Sequence, residues 1–214
     1  MSGAESSELR ARAEALFYQG ASEMEQGRFA AALERFFEAV ALQPGFAEAH
    51  GNLGWLLERL RQPDAAEQHY RLSLLHDPGL GQIHLNLGVL LAGQMRFDEA
   101  ELAYRQALAL MPDSPSAWSN LGVLQACLRR DEEAEASYRL ALALLPTHRL
   151  AQFNLSYLLL RQCRLEEGWL RLQQREPELK TRPQVACASW HGEDLTGKAI
   201  LIGMEGGYGV MIQF

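Results

Sequence analysis

The sequence has no cluster of lysine and arginine that could follow a phosphate backbone, and its net charge is −7. Nucleic acid is thereby excluded as the expected partner. Cysteine is scarce: Cys127, Cys163 and Cys187 lie far apart, are odd in number and never form C-x-x-C. A disulfide framework or thiolate zinc site is not supported, and reduced thiols in a cytoplasm fit better. No apolar run approaches the roughly 20 residues that cross a bilayer. The opening "MSGAESSELRARAE" lacks the apolar core of a secretory signal. H-E-x-x-H, G-x-S-x-G and the Walker phosphate loop are also missing. The expectation is a soluble, cytoplasmic chain with no membrane partner, no metal and no cofactor.

What the chain does have is repetition. Asn86–Pro112 reads "NLGVLLAGQMRFDEAELAYRQALALMP", and Asn120–Pro146, 34 residues later, reads "NLGVLQACLRRDEEAEASYRLALALLP". Prolines 44, 78, 112 and 146 keep that step, as do glycines 20, 54, 88 and 122 and alanines 32, 66, 100 and 134. So do the aromatics Phe36, Tyr70, Tyr104 and Tyr138, and the leucines Leu53, Leu87, Leu121 and Leu155. Such self-similarity decides the fold before any local pattern does. Ala and Leu dominate and favour helix. Within each copy apolar residues recur twice at helical spacing, around a short polar or glycine-bearing turn such as "EQGR" or "AGQMR". Glycine and alanine suit close helix crossings, and the aromatic is expected to fill the space between one hairpin and the next. Proline ends the second helix of each copy.

These columns resemble the tetratricopeptide (TPR) repeat, a 34-residue helix-turn-helix. The resemblance implies an all-α, right-handed superhelical solenoid, stabilised by stacking of neighbouring hairpins. Its expected limits are a tail at 1–8 and an array at 9–175. The array has copies at 13–46, 47–80, 81–114 and 115–148 and a degenerate fifth at 149–175, with Ser156 and Gly168 in the glycine and alanine places.

In TPR proteins the first helix of each repeat lines the concave surface. Asn52, Asn86, Asn120 and Asn154 form a column there, with Tyr18 at that place in the first copy. Each asparagine carries a donor and an acceptor and can pair with an extended peptide backbone. The column is similar to the asparagine ladder in the TPR superhelix of O-linked N-acetylglucosamine transferases, which holds polypeptide substrates. Bonding between neighbouring helices is the other reading of the same residues. Three positions on stand Ala21, Trp55, Val89, Val123 and Tyr157. This column holds no Lys or Arg, so a basic clamp for a C-terminal carboxylate is not expected within it. Trp55 and Tyr157 are the candidate anchors, or else inter-repeat packing.

His50 and His84 share one column, with Trp118 in the next copy. Hairpins stacked at about 10 Å are too far apart for one ion to bridge these histidines, so packing or a surface position is expected. The acidic strings "RFDEAE" and "RRDEEAEA" suit the positive ends of second helices.

From Gln174 the helical rhythm is gone. A linker at 176–198 is expected, then a single β-strand in "KAILIGME" and the glycine-rich "EGGYG" before "VMIQF". Strand, glycine turn and helix start would open an α/β domain, with Gly206, Gly207 and Gly209 as a remnant phosphate or nucleotide turn. The order of TPR array, W-x-G-x-x-L-x-G-K (Trp190 to Lys198), strand and glycine turn resembles certain bacterial proteins. In these a TPR array precedes a glycosyltransferase-like domain related to the heptosyltransferases. That family places aspartate where this chain has Val210. The resemblance implies that the chain is a truncated part of a longer enzyme, and a nucleotide sugar is a partner only in such a longer chain. These 214 residues are expected to catalyse nothing and to bind protein or an extended peptide along the concave face.

Overall fold

The computed structural model describes the backbone of residues 3–173, 199–203 and 209–213, and side chains from 7 to 172. The chain divides into two units at Gln174. The first holds five helical hairpins: α1 Gly3–Glu25 with α2 Phe29–Leu42, α3 Ala47–Arg59 with α4 Pro63–His76, and α5 Gly81–Gly93 with α6 Phe97–Leu110. Then come α7 Pro115–Cys127 with α8 Asp131–Leu144, and α9 Arg149–Arg161 with α10 Leu165–Gln173. Most of the stretch expected as a tail at 1–8 is therefore helix. Nothing after Gly3 breaks it, and Ala, Glu, Leu and Arg there are good helix formers.

Each hairpin closes in the same way. The residues at 27, 61, 95, 129 and 163 all have left-handed backbones, with φ of 73° at Gly27 and 60–61° at Arg61, Met95, Arg129 and Cys163. The next amide reaches back five residues, as in Gln62 N to Leu57 O and Arg96 N to Leu91 O, both near 2.9–3.0 Å. This is the Schellman ending of a helix, where glycine is the unstrained choice. Only the first repeat uses it. In "AGQMR" the glycine ends α5, and the strained position falls two residues later, on Met95.

The aromatics lie elsewhere than between hairpins. A Cβ on Gly54 would meet Tyr70 at 2.5 Å, one on Gly88 would meet Tyr104 at 2.6 Å and one on Gly122 would meet Tyr138 at 2.7 Å. Gly20 and Phe36 repeat the arrangement at 2.8 Å. Each ring thus packs on the glycine of its own hairpin, because the bare backbone lets it lie flat against the facing helix. The fifth hairpin has Ser156 in the glycine place and Leu172 in the aromatic one. Its crossing is held instead by Gly168, where a Cβ would meet Leu160 at 2.8 Å. The column alanines 32, 66, 100 and 134 are fully buried. Trp118 packs against the core of both the earlier and the later repeats.

First helices of neighbouring repeats approach one another (α3 with α5, α5 with α7, α7 with α9), whereas successive second helices do not approach comparably. The row of first helices is thus the inside of the curve. On the outside, arginine and glutamate link the second helices. Arg96 reaches Glu67 at 2.6 Å and Glu99 at 2.7 Å, and Arg71 reaches the same two carboxylates at 2.9 Å. Arg164 and Arg139 close an equivalent ring with Glu135 and Glu167 at 2.6–2.9 Å. Between these rings Arg130 and Arg105 share the buried carboxylate of Glu101.

In the second unit β1 Ala199–Gly203 pairs antiparallel with β2 Gly209–Gln213, Ala199 opposite Gln213 and Gly203 opposite Gly209. The single strand expected here has a partner, and "VMIQ" is strand where a helix start was expected. Its β-branched residues suit a strand, and pairing satisfies one edge of β1. The linker at 176–198 and Gly206 and Gly207 lie outside the described residues.

Two substitutions test this local physics by urea unfolding. Gly88→Ala gains about 1 kcal/mol of helix propensity but forces a methyl into the Tyr104 ring, an overpacking that costs about 1–3 kcal/mol. A net loss of about 1 kcal/mol is expected from the two together. Met95→Gly relieves a left-handed backbone and is expected to stabilise by about 0.5–1 kcal/mol. No gain would mean the turn is not strained.

Candidate functional site: the inner row of first helices

An α-helix brings residues three and four apart onto one face. On α3, α5, α7 and α9 this sets each asparagine beside an apolar residue one turn on, with the buried leucine column beneath. Asn52, Asn86, Asn120 and Asn154 are all half-buried. Val89 is 41% exposed, Val123 39% and Tyr157 55%, and Trp55 is half-buried. The row therefore offers water a line of amides interleaved with apolar side chains.

The amides are not equivalent. Asn86 Oδ1 accepts from Gln82 at 2.8 Å, and its amide donates to the Tyr70 hydroxyl. That hydroxyl in turn donates to Glu58 at 3.0 Å. Asn52, Asn120 and Asn154 have no hydrogen-bond partner among the described residues, so their donors and acceptors remain available. The buried phenols stay protonated: burial pushes Tyr104 up to about 12 and, with help from Glu58, moves Tyr70 higher still.

The inner row opens into a cavity of about 450 Å³ between α3 and α5, lined by Trp55, Glu58, Arg59, Arg61, Asn86 and Val89. Trp55, Asn86 and Val89 were legible as candidates; Glu58, Arg59 and Arg61 were not. Glu58 and Arg59 sit one turn beyond Trp55 and Arg61 at the left-handed turn after α3, all outside the two columns followed in the sequence. The Arg59 guanidinium lies 4.8 Å from the Trp55 ring centre and 4.9 Å from that of Phe29. Those rings meet edge-on at 5.9 Å. A second cavity of about 430 Å³ adjoins Tyr18 and Phe17 of α1 and His76 of α4.

The histidine column has a structural task. Nitrogen Nε2 of His50 is 2.9 Å from the Pro44 carbonyl and that of His84 is 3.1 Å from Pro78. Trp118 Nε1 donates to Pro112 at 2.9 Å and Gln152 Nε2 to Pro146 at 2.7 Å. In every case a side chain ties the first helix to the proline carbonyl before it. Among the described residues no three His, Cys, Asp or Glu side chains gather to hold a metal ion, and Cys127 and Cys163 are free and exposed. No described helix is long and apolar enough to cross a membrane. Gly209 opens β2 rather than a helix.

Tandem helical hairpins in 34-residue register define an all-helical repeat solenoid. The chain belongs to the tetratricopeptide repeat family, whose sequence model matches residues 19–79 and 85–149, more than half of its length. No curated protein matches it. Among solved structures it is similar to Pseudomonas aeruginosa pilF at 21% identity, covering 79% of this chain and 76% of that one, with a TM-score of 0.70. MamA from Desulfovibrio magneticus RS-1 aligns at 16% identity over 76% of this chain and 92% of that one, with a TM-score of 0.68. YrrB, described as a TPR protein with an unusual peptide-binding site, aligns at 17% identity over 74% and 81%, with a TM-score of 0.63. At these identities the likeness is one of fold.

The histidines give the array a pH dependence. The Pro44 carbonyl can only accept, so His50 carries its hydrogen on Nε2, and its Nδ1 accepts from His69 Nδ1 at 2.9 Å. Burial, then the His76 charge, holds His50 below the ordinary histidine range, against the pull of Pro44; burial and then His50 do so for His69. Unfolded histidine binds its proton near 6.5. Stability from the pair is therefore complete above about pH 6.5 and is lost as pH falls below it. Arginine hydrogen bonds hold Glu67 and Glu99 low, and in Glu135 and Glu167 they outweigh an opposing push from burial. These carboxylates act only below about pH 4.5. The urea midpoint is expected to fall between pH 7.5 and 5.5, and His69→Gln should flatten that fall. An equally steep fall in the variant would refute the assignment.

Proposed function

We propose that the chain is a protein-binding scaffold that holds an extended polypeptide segment along the inner row of first helices. One observation carries this reading: a column of half-buried asparagines at a 34-residue step, three of which (Asn52, Asn120 and Asn154) have no hydrogen-bond partner among the described residues, beside apolar side chains that reach water. Amides at regular intervals suit a peptide main chain, whose donors and acceptors also recur regularly. Val89, Val123 and Tyr157 then supply apolar contact, and Trp55 an aromatic anchor. YrrB, a fold neighbour described as having a peptide-binding site, is consistent with this reading.

A second reading treats the array as the substrate-recruiting arm of a glycosyltransferase-like domain beginning near residue 199. The strand Ala199–Gly203 favours it, and the strand Gly209–Gln213 counts against it, since that domain would start a helix there. Under this reading the protein from its own cells has a mass well above that of 214 residues and binds a nucleotide sugar. A mass matching 214 residues would remove it.

Binding of unstructured peptides, followed by fluorescence anisotropy, tests the scaffold reading. Asn52→Ala with Asn120→Ala removes two available amides while leaving the bonded Asn86 in place. At about 0.5–1.5 kcal/mol per hydrogen bond, affinity is expected to fall about tenfold with helicity unchanged. Unaltered affinity would refute the asparagine row as the peptide-reading element.

A further inference from the structure

We propose that the cavity between α3 and α5 selects an acidic side chain, Asp or Glu, flanked by an apolar residue of the bound segment. The proposal rests on the scaffold reading and adds the chemistry of one contact. The cavity departs from the periodicity around it. Glu58, Arg59 and Arg61 correspond to Ala92, Gly93 and Met95 in the next repeat and to Ala126, Cys127 and Arg129 in the one after. The hairpin needs none of these charges, since the next repeat closes the same turn with Met95 and has Ala92 and Gly93 at the other two places.

The two arginines also differ from those of the outer row. On the outer row Arg71, Arg96, Arg105, Arg130, Arg139 and Arg164 each hold a carboxylate at 2.6–2.9 Å. Arg59 and Arg61 hold none among the described residues. In a chain of net charge −7, two guanidinium groups left without carboxylates on one cavity wall are conspicuous. A cation in the last turn of α3 suits the helix dipole, but that requires charge alone. Arg59 is in addition fixed over the Trp55 and Phe29 rings, which orients its planar fork and reduces the entropy lost on binding.

The lining defines the occupant. Arg59 and Arg61 give two positive charges; Trp55 and Val89 give an apolar wall. The acid in that lining, Glu58, is engaged by the Tyr70 hydroxyl at 3.0 Å. Its negative charge opposes a dianion more strongly than a monoanion, which favours a carboxylate over a phosphate. About 450 Å³ accommodates one such side chain with an apolar neighbour. The contact is open to solvent, so its effect should shrink as salt rises.

The test begins with a random dodecapeptide display library selected on the 214-residue protein, followed by anisotropy on a selected peptide and its Glu→Gln counterpart. Selected peptides are expected to carry Asp or Glu beside an apolar residue. The Gln counterpart should bind about tenfold more weakly, the scale of one charge-assisted hydrogen bond, with the gap narrowing in 0.5 M NaCl (about a 4 Å screening length). In Arg59→Gln the two peptides should bind alike. Arg61→Gly should reduce the preference while unfolding at equal or higher urea, because glycine fits φ of 60°; weaker binding is then not a folding defect. Arg149→Gln, at the start of α9, should leave the preference intact. Selected peptides without acidic enrichment, or a preference that survives both Arg59→Gln and Arg61→Gly, overturn the proposal and leave the scaffold reading standing. If no peptide is selected, both fall.

Discussion

The structure depends on an aromatic ring lying flat on a glycine. In each of the first four hairpins the ring needs a backbone with no Cβ opposite it, and the distances leave no room for a methyl group. That contact sets how closely the two helices of a hairpin cross. It also fixes where the ring's far end emerges. In the second repeat the far end is the Tyr70 hydroxyl, which bonds Glu58 of its own hairpin and Asn86 of the next. A packing contact therefore positions two of the six residues that line the cavity. Phe36, at the same place in the first repeat, has no hydroxyl and can hold no such pair.

The two rows of helices divide the charge between them. On the outer row, arginines at the turn and on the preceding helix share the same glutamates, so charge is spent on tying one repeat to the next. Exposed pairs of this kind contribute little singly, but a ring shared by two repeats fixes their spacing as well as their attraction. Glu101 is the extreme case, being buried between two arginines. On the inner row the stacking is done by leucine, alanine and the side chains that reach the proline carbonyls. Asn52, Asn120 and Asn154 there have no hydrogen-bond partner among the described residues, and a surface with polar groups to spare is one that can bind.

Much of this was legible because repetition converts a weak local signal into a strong one. Five columns at a step of 34 gave the helical solenoid, the inner row and the asparagine column. The partner of the aromatic ring was misplaced because periodicity says which positions are equivalent, not which side of a helix meets which neighbour. The strained turn was hidden for a related reason: Gly93 drew attention as the turn glycine, while the left-handed residue was Met95. The outer rings had a visible signature, with Arg96, Arg130 and Arg164 and Glu67, Glu101 and Glu135 all in step. Charged columns pass easily for solvated faces, and nothing in composition alone says that two of them point at each other.

The charged wall of the cavity was illegible for the opposite reason, because the next repeat carries none of its charges. An alignment of copies rewards agreement, and Glu58 is matched in no other copy, Arg59 only by Arg161 and Arg61 only by Arg129. In an array where each copy stabilises its neighbours by the same contacts, residues in step are held by what all repeats share, which is packing. A charge that faces a cavity and holds no opposite charge among the described residues, as Arg59 and Arg61 do, has no such reason to be there. For this family architecture the search for the fold should follow the columns. The search for specificity should follow the exceptions, and here one group of charges that the next repeat lacks lines a cavity, on the wall formed by α3 and its turn.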